Sequence, residues 1–150
     1  MDKQALSPRD EFLATVKKSK RNGLEFLTPN DWILFFDRAK DMQFTNGEKL
    51  LQQGRQTKIV HVITKGSVRI EAGARRVATL GPGQVCGEMA FLENGVASAN
   101  AIAEGDVATR SIEWAALSDL FEMFPHVASR FYQSLAVSLS QRLREQMSPG

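Results

Sequence analysis

The residues best suited to chemistry in this sequence lie in a glycine-rich stretch that runs from Gly81 to Ile102. Within it, Glu88 directly precedes the apolar run Met89 to Leu92, and glycine turns lie on both sides. Glycine allows positive φ angles and a close approach of the backbone to a ligand. A one-turn helix that begins at Glu88 would point its amide hydrogens at an anion. The stretch therefore predicts an anion cradle, although no Lys or Arg lies between Arg76 and Arg110.

Length and composition indicate one globular domain. A chain of 150 residues can bury a sizeable core, and 43% hydrophobic and 24% charged residues are ordinary values. The net charge of +2 is too small to argue for nucleic-acid binding by itself. Cys86 is the single cysteine, which excludes an internal disulfide and fits a reducing compartment. Because neither a membrane span of about 18 apolar residues nor a secretory segment is present, we expect a cytoplasmic protein.

The predicted helices lie towards the two ends of the chain. One begins near Asp10, and a second begins near Thr28, where a capping residue, a proline and an acid follow one another. Helical periodicity returns at Glu113, and Pro125 opens a final helix that runs to about Gln146. Apolar residues recur every fourth position along this last helix and form a stripe. This stripe would cover the open end of the β-barrel that the middle of the chain predicts, or pair with a second copy of the chain. They are Val127, Phe131, Leu135, Leu139 and Leu143.

Between these helices, short apolar or alternating runs are separated by turn signals. Asn46-Gly47 predicts a hairpin, because both residues tolerate positive φ. Further turns are expected at Lys65-Gly66 and at Glu104-Gly105-Asp106. We count about eight short strands, which predicts a mainly β fold of the jelly-roll type with N-terminal and C-terminal helices.

In this order and spacing, the motifs resemble those of the cyclic nucleotide-binding domain family, which is found in catabolite-activator-type regulators, kinase regulatory subunits and gated channels. The motifs are Asn46-Gly47-Glu48 with Gln53-Gly54, the hairpin Thr64 to Val68, Leu80 to Gly83, and Gly87 to Leu92. The resemblance covers about Leu24 to Leu143 and implies a β-roll with a helical subdomain. It divides the chain into an N-terminal helical extension, residues 1–23, and a single domain, residues 24–147. We expect no effector or DNA-binding domain.

The resemblance also implies roles for the cradle. Glu88 stands where the family's acid accepts a hydrogen bond from the ribose hydroxyl, and Met89 and Ala90 stand where backbone amides bind the cyclic phosphate. Where the family places an arginine against that phosphate, this sequence has Ala97 and Ser98. A charge-assisted hydrogen bond to phosphate contributes about 1.5–3 kcal/mol. Its loss weakens binding on the order of a hundredfold, so we predict weak or absent binding of cAMP and cGMP.

The predicted ligand-binding residues are Gly87, Glu88, Met89, Ala90, Ser98 and Ala99. Two alternatives would restore ligand binding: Arg69, Arg75 or Arg76 reaches into the pocket, or the natural ligand carries less negative charge. Tyr132 and Ser134 on the last helix are candidates for a lid over the ligand. They are equally compatible with the polar side of an amphipathic helix.

No other chemistry is indicated. His61 and His126 have no potential co-ligands at metal-ligand spacing, and the sequence has no nucleophile motif. We therefore predict no metal site, no cofactor and no enzymatic activity. No recognition helix is visible, so direct DNA binding is not expected. Two functions remain open. The chain is either a sensor whose helices move when the pocket fills and so alter an unknown effector protein, or a ligand-free module that forms a homodimer through residues 125–147.

Overall fold

A computed structural model describes residues 6–19 and 22–147 and confirms the predicted mainly β fold with flanking helices. The helices are α1 (Pro8–Lys18), α2 (Pro29–Arg38), α3 (Glu88–Glu93), α4 (Trp114–Met123) and α5 (Pro125–Met147). The strands are β1 (Lys40–Phe44), β2 (Lys49–Leu51), β3 (Ile59–Ala72), β4 (Arg75–Leu80), β5 (Val85–Cys86) and β6 (Asn100–Glu113). None of the helices in the described ranges is both long enough and apolar enough to cross a membrane.

The described strands form one antiparallel sheet in the order β1-β6-β3-β4, in which β2 also pairs with β6 and β5 with β3. The prediction that Asn46-Gly47 closes a hairpin is wrong, because β1 and β2 lie end to end along β6 and do not pair with each other. The turn is instead tied to β6. The amide of Gly105 donates to Oδ1 of Asn46 at 2.7 Å, and the amide of Gly47 donates to the carbonyl of Ala103 at 2.8 Å.

Six strands take the place of the predicted eight because two expected turns are bends inside long strands. Lys65-Gly66 lies within β3, and Glu104-Gly105-Asp106 lies within β6. Gly66 has a φ of 90° and Gly105 a φ of 73°, so both bends use the left-handed region. A Cβ on Gly66 would collide with the carbonyl oxygen of Asp106, which shows how closely the bends face each other. Pairing between β3 and β6 continues on both sides of them, as expected of bulges.

Buried side chains form two clusters. The first lies between the helices and the sheet and includes Phe12 and Val16 of α1 together with Trp32, Trp114 and Phe131. The second lies inside the folded sheet and includes Phe44, Ile63, Val68 and Cys86. Helix α1, which the sequence assigns to an extension over residues 1–23, thus shares its core with the rest of the chain. Residues 1–5 and 20–21 of that range lie outside the described part.

The beginning of α5 is anchored to α2. Asp31 is buried and completes a capping box with Thr28. Its two carboxylate oxygens accept hydrogen bonds of 2.6 and 2.8 Å from the guanidinium of Arg130 on α5. Burial acts to raise the pKa of Asp31, but the bonds from Arg130 and Thr28 outweigh it and hold that pKa below its ordinary value. The first turns of α5 are therefore fixed to α2.

The apolar stripe of α5 changes its environment along the helix. Val127, Phe131 and Leu135 are buried in the first cluster of this same chain. Leu139 and Leu143 are 39% and 58% exposed. Only the second half of the predicted stripe is therefore accessible to another molecule.

Candidate functional site

A cavity of about 730 Å³ lies between the cradle, strands β3 and β4, and the C-terminal end of α5. All of the predicted cradle residues line it, namely Gly87, Glu88, Met89, Ala90, Ser98 and Ala99. Much of the remaining wall is apolar and includes Leu51, Ile70, Val77 and Val96. Small-molecule sites of proteins have volumes of about 300–1,000 Å³ and mainly apolar walls. The structure thus brings the cradle residues together around a space that suits a small ligand.

Gly87 turns the chain from the sheet into the cradle. Strand β5 ends directly before it, and α3 begins directly after it. Its φ is 91°, and a Cβ at this position would lie 2.7 Å from the carbonyl oxygen of Ile59 on β3. Both the dihedral angle and the close backbone approach require glycine.

The substitution Gly87→Ala is expected to lower the free energy of unfolding by about 2 kcal/mol, because strained backbone costs about 1–3 kcal/mol and the Cβ also meets Ile59. Urea denaturation measures the loss. Gly73→Ala is the matched control, since Gly73 also has a positive φ, 61°, but a Cβ added there would meet no atom within 4 Å. Equal losses in the two variants would contradict a role for the close approach at Gly87.

Glu88 is the acid of the cradle, and one of its carboxylate oxygens has no hydrogen-bond partner among the described residues. The side chain as a whole is half-buried, but its Oε2 is fully buried and lacks a hydrogen-bond partner among the described residues. Burial raises the pKa of Glu88 to about 7, against the opposing effects of its own backbone amide and of the charge on Arg142. A buried polar atom without a partner costs about 1–3 kcal/mol. A ligand hydroxyl that donates to Oε2 would remove this cost.

Arg142 on α5 is the one basic side chain among the described residues that line the cavity. The sequence gives no local signal for it, because it lies in the polar last turns of a helix far along the chain from the cradle. The three arginines considered from sequence, Arg69, Arg75 and Arg76, do not line the cavity. Instead, Arg69 and Arg76 form ion pairs with Glu104.

The two residues considered as a lid are placed elsewhere. The ring of Tyr132 packs against that of Phe121, with centroids 5.7 Å apart. Ser134 is buried, and its Oγ accepts a 2.9 Å hydrogen bond from the amide of Phe26. Neither residue lines the cavity, because Tyr132 packs on α4 and Ser134 is bonded to the segment before α2. The part of α5 that reaches the cavity is its C-terminal end, at Arg142.

Helix α3 is also in contact with both C-terminal helices. Phe91 makes edge-to-face ring contacts with Trp114 and Phe121 of α4 and with Phe131 of α5, at centroid distances of 5.9, 6.0 and 5.8 Å. The helix that carries Glu88 therefore packs directly on both C-terminal helices.

Comparison with known proteins agrees with this architecture. The profile of the family described as "Cyclic nucleotide-binding domain" matches residues 41–124, which is more than half of the chain. The chain belongs to this family. The cradle, both long strands and α4 of this cyclic nucleotide-binding domain lie inside the matched range.

Relatives of this cyclic nucleotide-binding domain include two curated proteins. Cyclic GMP-binding protein C of Dictyostelium discoideum is 28% identical over 144 residues, which cover 87% of this chain and 6% of that protein. Cyclic AMP receptor protein of Thermus thermophilus is 29% identical over 124 residues, which cover 79% of this chain and 56% of that protein. The chain thus spans less than two thirds of either relative.

A solved structure shows the same fold. The cyclic nucleotide-binding domain from Methylobacillus flagellatus has a TM-score of 0.73 to this chain at 22% identity. The similarity covers 91% of this chain and 79% of the other.

Proposed function

We propose that this cyclic nucleotide-binding domain is a non-catalytic regulatory sensor module that binds cAMP and cGMP weakly or not at all. The observation that carries the proposal is the composition of the cavity wall. Glu88, Ala97 and Ser98 all line the cavity. The family resemblance implies an arginine at the position of Ala97 or Ser98, and neither residue can supply its charge. Ser98 offers one neutral hydrogen bond, which is weaker than a charge-assisted bond to an anion. The deficit lies in binding the phosphate and not in the shape of the cavity.

The sensor acts by moving helices. A ligand in the cavity would contact Glu88 and Met89 on α3 and Arg142 on α5. Because Phe91 of α3 packs on rings of α4 and α5, a shift of α3 changes the position of both helices. A ligand that prefers one helix arrangement would shift the population towards it. An effector protein would bind differently to the two helix arrangements.

The substitution Ser98→Arg is expected to raise the affinity for cAMP by about 2 kcal/mol, roughly 30-fold, because it supplies the missing charge beside the phosphate. Ser98 is exposed at the cavity wall, so a longer side chain enters without displacing the core. Calorimetric titration measures the change. Ser118→Arg is the matched control, since Ser118 is exposed on α4 and does not line the cavity. No gain in Ser98→Arg would mean that the cradle is misshapen and would contradict the proposal.

A second function is a ligand-free interaction module, favoured by the apolar side chains exposed on the second half of α5. These are Leu139, Leu143 and Met147, which recur every fourth position. A homodimer through this part of the range 125–147 would bury them. In light scattering, Leu139→Asp is then expected to reduce the mass from a dimer to a monomer. An unchanged mass would contradict the helix interface.

A further inference from the structure

We propose that Arg142 and Glu88 bind a single ligand together, an anion that also carries a hydroxyl group. In this arrangement α5 supplies the positive charge that the cradle segment itself lacks. The inference rests on the proposed function, since it requires that the cavity binds a ligand.

The first support comes from the charges around the cavity. Among the described residues that line it, only Glu88, Glu93 and Arg142 carry ionisable groups other than the Cys86 thiol. Burial raises the pKa of that thiol, so Cys86 stays neutral. Neither acid attracts an anionic ligand, and Arg142 is the one cation among the described residues that line the cavity. Its guanidinium is therefore the charged group in this wall with which an anion would pair.

The second support comes from the position of Arg142. It also lines an adjoining cavity of about 220 Å³, together with Glu88 and Met89, so it lies next to the first turn of α3. On that side Glu25 and Glu145 are the other charged residues. The charge on Arg142 is close enough to oppose the rise in the pKa of Glu88. Oε2 of Glu88 nevertheless has no hydrogen-bond partner among the described residues, so the carboxyl retains the capacity to accept a bond from a ligand.

These groups define the chemistry of the ligand. A hydroxyl would donate to Oε2 of Glu88. The oxygens of a phosphate or carboxylate would accept paired hydrogen bonds from the guanidinium of Arg142. An apolar or aromatic body would pack against walls such as Ile70 and Val77. cAMP has these features and is the probe of choice, and adenosine is its counterpart without the anion. Since Arg142 belongs to α5, anion binding would draw the end of that helix towards α3.

The test compares the binding of cAMP and of adenosine, by NMR titration at millimolar concentrations, to the wild type and to Arg142→Gln. Arg142→Gln is expected to weaken cAMP binding about tenfold or more and to leave adenosine binding unchanged. Arg144→Gln, on the same helix but outside the cavity, is the matched control and is expected to bind like the wild type. Equal cAMP affinities of wild type and Arg142→Gln would overturn the inference. An equal loss for adenosine would overturn it as well, because it would indicate a structural role.

Amide hydrogen exchange measures whether the end of α5 becomes more protected when the ligand binds, which an affinity does not show. cAMP is expected to slow exchange over residues 139–147 in the wild type but not in Arg142→Gln. If the wild type binds neither compound, the inference is overturned, and Ser98→Arg decides the proposed function separately. Binding of cAMP by Ser98→Arg would retain the sensor proposal, whereas its failure to bind would refute both.

Discussion

The substitution Phe131→Ala is expected to lower the free energy of unfolding by about 3–5 kcal/mol, because it removes a large side chain from a packed core. Phe131 is 2% exposed. Its ring contacts those of Phe91, Phe121 and Tyr132, with centroids 5.8, 5.0 and 5.5 Å apart. The ring therefore joins α3, α4 and α5 at one point. Urea denaturation of the purified chain measures the loss.

Leu143→Ala is the control for this substitution, since Leu143 lies on the same helix but is 58% exposed. An exposed position of this kind is expected to change stability by about 0.5 kcal/mol or less. If Phe131→Ala fails to fold, Phe131→Leu, expected to cost about 1.5 kcal/mol or less, keeps the comparison possible. A loss in Phe131→Ala as small as that of Leu143→Ala would contradict the packing of α5 on α3.

The substitution Glu88→Gln is expected to increase stability by about 3 kcal/mol above neutral pH and to have little effect in acid. Burial raises the pKa of Glu88 to about 7 from an ordinary value of 4.5, so the folded chain holds this proton more tightly than the unfolded chain. The stability from the protonated carboxyl is complete below pH 4.5 and is lost as the pH rises through 7. A shift of this size corresponds to about 3 kcal/mol. Glutamine keeps the shape of the neutral acid and cannot ionise.

His61 makes the free energy of unfolding depend on pH in the opposite direction to Glu88. The quantity to compare is therefore the difference in this free energy between Glu88→Gln and the wild type at each pH. Burial lowers the pKa of His61 from 6.5 to about 4, and its Nδ1 lies 2.7 Å from Oγ of Ser111. Stability from the neutral imidazole is therefore lost as the pH falls from 6.5 to 4 in both proteins, and it cancels in the difference. Glu93→Gln, at an exposed acid of the same cavity, is the control. Parallel stability curves for wild type and Glu88→Gln would contradict the burial of the Glu88 carboxyl.

The features that were predictable from sequence depend on residues close together in the chain. The start of α2 followed from Thr28 and Asp31, whose capping bonds span three positions. The end of α4 and the start of α5 followed from Pro125, which suits a first helical turn. The cradle residues from Gly87 to Ala99 lie within one short segment, and the family resemblance implied that they share a site. The structure places them around one cavity.

The features that could not be predicted depend on long-range contacts. A glycine with positive φ occurs in a reversing turn and in a strand bend alike, so Gly66 and Gly105 gave no means to distinguish the two. The bends become clear only when β3 and β6 lie side by side. Arg142 reaches the cradle only through the path of α5, and Tyr132 is turned away from it by packing on α4. These placements are properties of tertiary packing and leave no periodic signal in the sequence.

Calorimetric titration of the wild-type chain with cAMP and cGMP measures whether the cavity binds cyclic nucleotides only weakly, as we propose. The cavity keeps the acid Glu88, but its cradle segment has no Lys or Arg to bind a phosphate. The predicted result is no detectable heat or a dissociation constant near about 1 mM, which corresponds to roughly −4 kcal/mol. Binding of either nucleotide at about 1 μM or tighter, roughly −8 kcal/mol, would contradict the claim.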